Sequence, residues 1–112
     1  MATKESTIRY IEDQLVSLGE VRSRKMFGEY ALYLGDKVVA FVCDDTLFIK
    51  ITEQGKAFVG SHYKEGQAYP GSKPYMEING DLLEDDRWIS ELIEITAEAL
   101  PTPKPKKKKS KS

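Results

Sequence analysis

Apolar and polar positions alternate most regularly over residues 26–51, MFGEYALYLGDKVVAFVCDDTLFIKI. Three runs, residues 30–34, 38–43 and 47–51, are rich in β-branched and aromatic side chains, and the turn residues Gly35-Asp36 and Asp44-Asp45 sit between them. Connections that short predict hairpins, hence an antiparallel meander. Alternation sets Leu32 and Leu34 against Tyr33. It sets Val39, Phe41 and Cys43 against Val38, Ala40 and Val42, and Leu47, Ile49 and Ile51 against Phe48 and Lys50. The middle strand is apolar on both sides, so it needs cover on both, or one face is left for a partner.

The period changes on either side of the meander. Ile8, Ile11, Leu15 and Leu18 recur at spacings of three and four, which predicts a helix over about residues 6–18, capped by Thr3 or Ser6 and stopped by Gly19. A second helix is predicted from the acids Glu84, Asp85 and Asp86 to about Leu100. Its apolar face reads Trp88, Leu92, Ile95, Thr96 and Ala99, flanked by Ile89 and Ile93, while Arg87, Glu91, Glu94 and Glu98 face water. Between the meander and this helix, residues 52–59 form a turn or short helix that sends Ala57 and Phe58 inward. Residues 60–74 form a long loop carrying Tyr63 and Tyr69, and Tyr75-Met76-Glu77-Ile78 is a fourth strand closed by an Asn79-Gly80 turn. The expected fold class is α/β of the α+β type, a twisted antiparallel β-meander packed against N- and C-terminal helices, with Leu15, Phe41 and Leu92 in one core.

Charge divides the chain in two. Residues 1–100 carry 11 basic and 18 acidic side chains, a net of −7, whereas Lys104, Lys106, Lys107, Lys108, Lys109 and Lys111 share the end of the chain with Pro101, Pro103 and Pro105. The expectation is one domain over 1–100 and a disordered Pro/Lys-rich tail over 101–112. A body of that sign does not attract phosphate backbones, and the tail offers at most a weak, salt-sensitive contact to nucleic acid. No run approaches the roughly 18 apolar residues of a membrane span, so the expected location is the cytoplasm.

Candidate chemistry is sparse. The single cysteine, Cys43, lies in a strand and reads as a small buried hydrophobe, and the single histidine, His62, lies in the long loop without companions for a zinc set. The pairs Asp44-Asp45 and Asp85-Asp86 are explained by a turn and a helix start. No catalytic residue, cofactor or metal is expected. The feature that remains is residues 21–26, VRSRKM, an edge strand whose Arg22, Arg24 and Met26 face opposite to Val21, Ser23 and Lys25. Arg22, Arg24 and Lys25 are the only basic cluster of the body, and serve either to protect the edge by charge or to meet an anion or a partner. Met26, Phe27 and Gly28 form the corner into the next strand, with Gly28 permitting a bulge.

These residues resemble a known family. The stretch from Glu20 to Tyr33, with Leu18-Gly19, Val21, Arg24, Met26-Phe27-Gly28 and Tyr33 in place, followed by Leu47-Phe48 and Lys50, is similar to the N-terminal domain of the TfoX/Sxy family of competence regulators. The resemblance covers about residues 6–100, and departs at Asn79, where the family commonly has proline. It implies a stand-alone member without the C-terminal domain that full-length relatives carry. Those relatives act as positive regulators of DNA-uptake genes together with the cyclic-AMP receptor protein. By resemblance, then, the expected function is a non-enzymatic regulatory or protein-interaction domain whose partner belongs to the transcription machinery. The candidate interaction residues are Arg22, Arg24, Met26, Phe27 and Gly28. The alternative is a weak nucleic-acid binder using Arg22, Arg24, Lys25 and the lysine tail.

Overall fold

The computed structural model describes residues 3–26 and 29–101. Phe27, Gly28 and the lysine tail from 102 onward, together with the disorder expected of it, lie outside the described residues. Among the described residues, six strands form one antiparallel sheet: β1 (Val21–Met26), β2 (Glu29–Leu34), β3 (Lys37–Cys43), β4 (Thr46–Ile49), β5 (Glu65–Gln67) and β6 (Pro74–Ile78), in the order β1-β2-β3-β4-β6-β5. Four α-helices accompany it: α1 (Glu5–Gln14), α2 (Glu53–Val59), α3 (Gly80–Leu83) and α4 (Asp86–Ala99). The α+β class and the meander are as the pattern predicts. Both hairpin turns bend through the left-handed region, with φ of 62° at Gly35, 52° at Asp44 and 61° at Asp45. Positive φ at both central residues of the second turn, and at the leading glycine of the first, matches the right-handed twist of the strands that such turns join.

The helices pack on one side. Ile8, Ile11 and Leu15 of the first helical stripe meet Leu32, Ala40, Val42, Leu47, Ile49, Met76 and Ile78 of the sheet, with Ile89, Leu92, Ile93 and Ala97 of α4 filling the centre. The inward face of α4 is centred on Ile89, Ile93 and Thr96, turned from the predicted one, so Ile95 and Trp88 are only half-buried and Ala97 is buried. A buried threonine is tolerated because its hydroxyl donates to the Leu92 carbonyl at 2.8 Å.

Several local expectations are corrected, each for a physical reason. The strand β3 does not alternate simply: the β2–β3 register shifts between Leu32 and Tyr33, so Ala40 faces Leu32 but Val38 faces Tyr33. The extra residue, Val39, joins Ala40 and Val42 in the main core, which leaves Phe41 in a second cluster with Cys43, Phe48, Ala68 and Tyr75. Phe41 therefore does not share a core with Leu15 and Leu92. In α2, Ala57 is exposed and the buried positions are Gly55 and Val59. A Cβ at Gly55 would lie 2.9 Å from the Thr52 hydroxyl and 3.5 Å from Leu92, so glycine is what lets the capped end of α2 press onto α4. Residues 60–74 are not all loop, since β5 pairs with β6, and Asn79 is the cap of α3 rather than part of a simple turn.

The start of α1 differs most instructively. Neither Thr3 nor Ser6 caps it; its N-cap is Lys4, which makes no side-chain capping bond. The Asp45 carboxylate, in the β3–β4 turn, accepts the Lys4 N–H at 2.9 Å and the Thr7 hydroxyl at 2.9 Å. Thr3 is buried beneath, its hydroxyl within reach of Glu29 and the Val42 carbonyl. The other end of the helical layer is closed from the sheet as well, where Lys37 of β3 donates to the carbonyls of Ala97 and Leu100 at 2.6 and 2.8 Å.

The two sides of the sheet should differ in energetic weight. Leu92→Ala should cost about 2–5 kcal/mol, because its site is enclosed by α2, α4 and the sheet, and Phe41→Ala should cost clearly less, as read by urea denaturation. The Asp45 carboxyl is held below its usual range, first by the Lys4 N–H and then by the Thr7 hydroxyl. A group lowered on folding stabilises above its unfolded value, and that stabilisation is lost as pH falls through the folded one. The stability gap between the wild-type chain and Asp45→Asn should thus narrow below the ordinary carboxylate range, and a gap independent of pH would contradict the charged cap.

Candidate functional site

The side of the sheet away from the helices is where the sequence-derived candidates meet. Strand β1 pairs with β2 in the register Val21↔Leu34, Arg22↔Tyr33, Ser23↔Leu32, Arg24↔Ala31, Lys25↔Tyr30 and Met26↔Glu29. Since Leu32 belongs to the main core, Ser23 shares the helical side, and its hydroxyl donates to Glu12 of α1 at 2.7 Å. Alternation then carries Arg22, Arg24 and Met26 to the other, open side. Arg22 donates to the Gly35 carbonyl at 3.1 Å, and its guanidinium carbon lies 5.4 Å from the centroid of the Tyr33 ring. That cation–π contact orients the arginine along the sheet. Met26 is 37% exposed, unusual for a large apolar side chain at a strand end.

Beside Met26 the open side is concave. A hollow of about 540 Å³ is lined by Met26, Glu29, Tyr30, Phe41, Cys43 and Tyr69. Its floor is the second apolar cluster, in which Phe41 meets Tyr75 edge-on at 5.4 Å between centroids. The segment after β5 folds over one end and brings Ala68 into the cluster, leaving Tyr69 56% exposed at the lip. Gly66 permits this closeness, because a Cβ there would stand 3.3 Å from the Phe48 ring.

The one carboxylate of the hollow's lining is already committed. The Glu29 carboxylate accepts the Thr3 hydroxyl and the Asp44 N–H, the latter at 3.1 Å. Burial, and after it the charges of Glu29 and Asp44, push the Cys43 thiol upward, so it stays protonated at neutral pH. Burial likewise raises the Tyr75 phenol. Beyond the hollow, Lys50 follows the last residue of β4, and burial followed by the charge of Lys73 lowers its pKa. The surface is thus apolar at its centre and cationic at its margins, suited to recognition by area and charge.

Of the five residues singled out from sequence, Arg22, Arg24 and Met26 come together on one side, and Phe27 and Gly28 lie outside the described residues. Lys25 falls on the opposite side from the arginines. Sequence reasoning missed Tyr33, Phe41 and Tyr69 as parts of this surface. The available signal was the two-sided apolar character of β3, whose second face is the floor of the hollow. His62 stands elsewhere, exposed and edge-on to Trp88 at 6.3 Å. Among the described residues no three His, Cys, Asp or Glu side chains gather as a metal-binding group, and no helix is long and apolar enough to cross a membrane.

Among the described residues, a six-stranded antiparallel sheet clad by helices on one side and open on the other defines a small α+β domain with a half-covered sheet. The chain belongs to the TfoX N-terminal domain family, whose model matches residues 13–100. It is 41% identical over 112 residues to an uncharacterized 12.7 kDa protein in the trpE 5′ region of Spirochaeta aurantia, covering 100% of this chain and 96% of that one. It is also 26% identical over 81 residues to protein Sxy of Escherichia coli K12, covering 72% of this chain but 39% of the length of Sxy.

The thiol gives a direct check on the hollow. Cys43 should react with a disulfide reagent far more slowly in the folded chain than in urea, and opening the lip with Tyr69→Ala should speed the folded reaction while leaving the unfolded one unchanged.

Proposed function

We propose that the chain is a non-enzymatic regulatory module, acting in the cytoplasm, that meets a protein partner through the open side of its sheet. The observation that carries this reading is the apolar hollow bordered by Met26, Phe41 and Tyr69 next to the exposed arginines of β1. An apolar centre supplies the area-dependent part of a protein interface, and guanidinium groups at its rim form bidentate bonds to carboxylates. Membership in the TfoX N-terminal domain family, and similarity to Sxy, support a regulatory role and make the transcription machinery the class of partner to look in first.

Nucleic acid fits less well as the principal partner. The body carries a net of −7, and the lysines that offset it lie in the tail. Binding that depended on them would fall steeply with salt as counterions are released, whereas contact through the hollow survives moderate salt.

The test is capture from a native extract with the intact chain, a chain ending at Pro101, and the Arg22→Glu, Arg24→Glu double variant, alongside oligonucleotide titrations at low and physiological salt. A protein should be retained by the first two and lost by the third. Oligonucleotide binding should be weak and vanish with the tail. Submicromolar oligonucleotide affinity at physiological salt without the tail would overturn this reading.

A further inference from the structure

Strand β1 ends the sheet, and its outer edge has a definite hydrogen-bonding phase. The Gly35 N–H donates to the Glu20 carbonyl at 3.2 Å, which makes 20↔35 a hydrogen-bonded pair, and the register continues as Val21↔Leu34. In an antiparallel ladder such pairs alternate, so Arg22, Arg24 and Met26 bond to β2 while the N–H and C=O groups of Val21, Ser23 and Lys25 point away from the sheet. Among the described residues nothing pairs with that edge, which is six residues long against three for β5 at the far end.

We infer that this edge accepts an extended acidic segment of the partner as a seventh strand, with carboxylates beside Arg22 and Arg24 and an apolar side chain against Met26. The inference rests on the interaction reading above and names how and with what chemistry the partner binds. Strand addition draws its affinity from main-chain bonds and its selectivity from the side chains that alternate along the edge. Here the alternation is specific: two cations and an exposed methionine on the open side, adjoining an apolar hollow. A second copy of this chain is the wrong occupant, since full antiparallel pairing of β1 with its own copy would set Arg22 against Arg24 on the same side. The negative body does not cancel the attraction, because charges beyond roughly 8 Å are largely screened at physiological ionic strength while carboxylates on an added strand would lie next to the guanidiniums.

The phase of the ladder supplies the test. Proline at Ser23 removes an outward N–H without breaking a bond to β2, a position where edge strands tolerate it. The Ser23→Ala variant loses the same hydroxyl bond to Glu12 but keeps the N–H, and so serves as its control. The probe is a synthetic peptide alternating glutamate with valine, compared with its lysine–valine counterpart, and the partner captured from extract is run in parallel. Binding of the glutamate peptide should slow amide exchange at Val21, Ser23 and Lys25. Ser23→Pro should weaken both the peptide and the captured partner by about tenfold or more, with Ser23→Ala near wild type. If Ser23→Pro fails to fold, the exchange pattern in the unaltered chain and a glutamate peptide N-methylated at alternate residues decide the matter. A partner lost by Arg22→Glu, Arg24→Glu but unaffected by Ser23→Pro would overturn strand addition and leave the interaction reading standing. A partner indifferent to all these variants would overturn both, and equal binding of the lysine peptide would overturn the acidic assignment.

Discussion

The governing constraint is that a strand apolar on both sides must be covered twice. In β3 the cover is unequal, because α1, α2 and α4 close over Ala40 and Val42 while Phe41 and Cys43 have, among the described residues, only a short segment after β5 above them. The bulge at Val39 moderates the imbalance by diverting one more apolar side chain into the main core. What remains outside is too small to be a second core and too apolar to be ordinary surface. Its position beside the basic edge is what makes it the recognition surface proposed above.

Where the sequence was legible, one local cause sufficed. The hairpins were set by two-residue turns, and α4 by acids before a long apolar stripe, so both emerge where alternation and capping chemistry place them. Strand β5 was hidden because Glu65-Gly66-Gln67 carries no apolar alternation, and it is a strand only through its ladder with β6. Val39 was misplaced for a related reason, since a bulge changes the facing of residues without leaving a mark in composition.

The candidate surface divides in the same way. Arg22, Arg24 and Met26 were found together because a period of two is fixed by the strand itself. Tyr33 stands beside Arg22 from the neighbouring strand, while Phe41 and Tyr69 come from β3 and a loop, and only tertiary packing brings those two to the hollow that Met26 lines. The apolar excess of β3 signalled an unfilled face, but which residues would border it depended on how far the β5–β6 segment reaches across.

The Asp45 carboxylate has a consequence for how the molecule assembles. A helix whose first turn is completed by its own side chains can flicker into being alone, whereas α1 borrows its terminal acceptor from a turn some forty residues downstream. The bond exists only after β3 and β4 have met, so the leading end of the chain is expected to settle late, and its fraying should report on the integrity of a hairpin with which it shares no sequence.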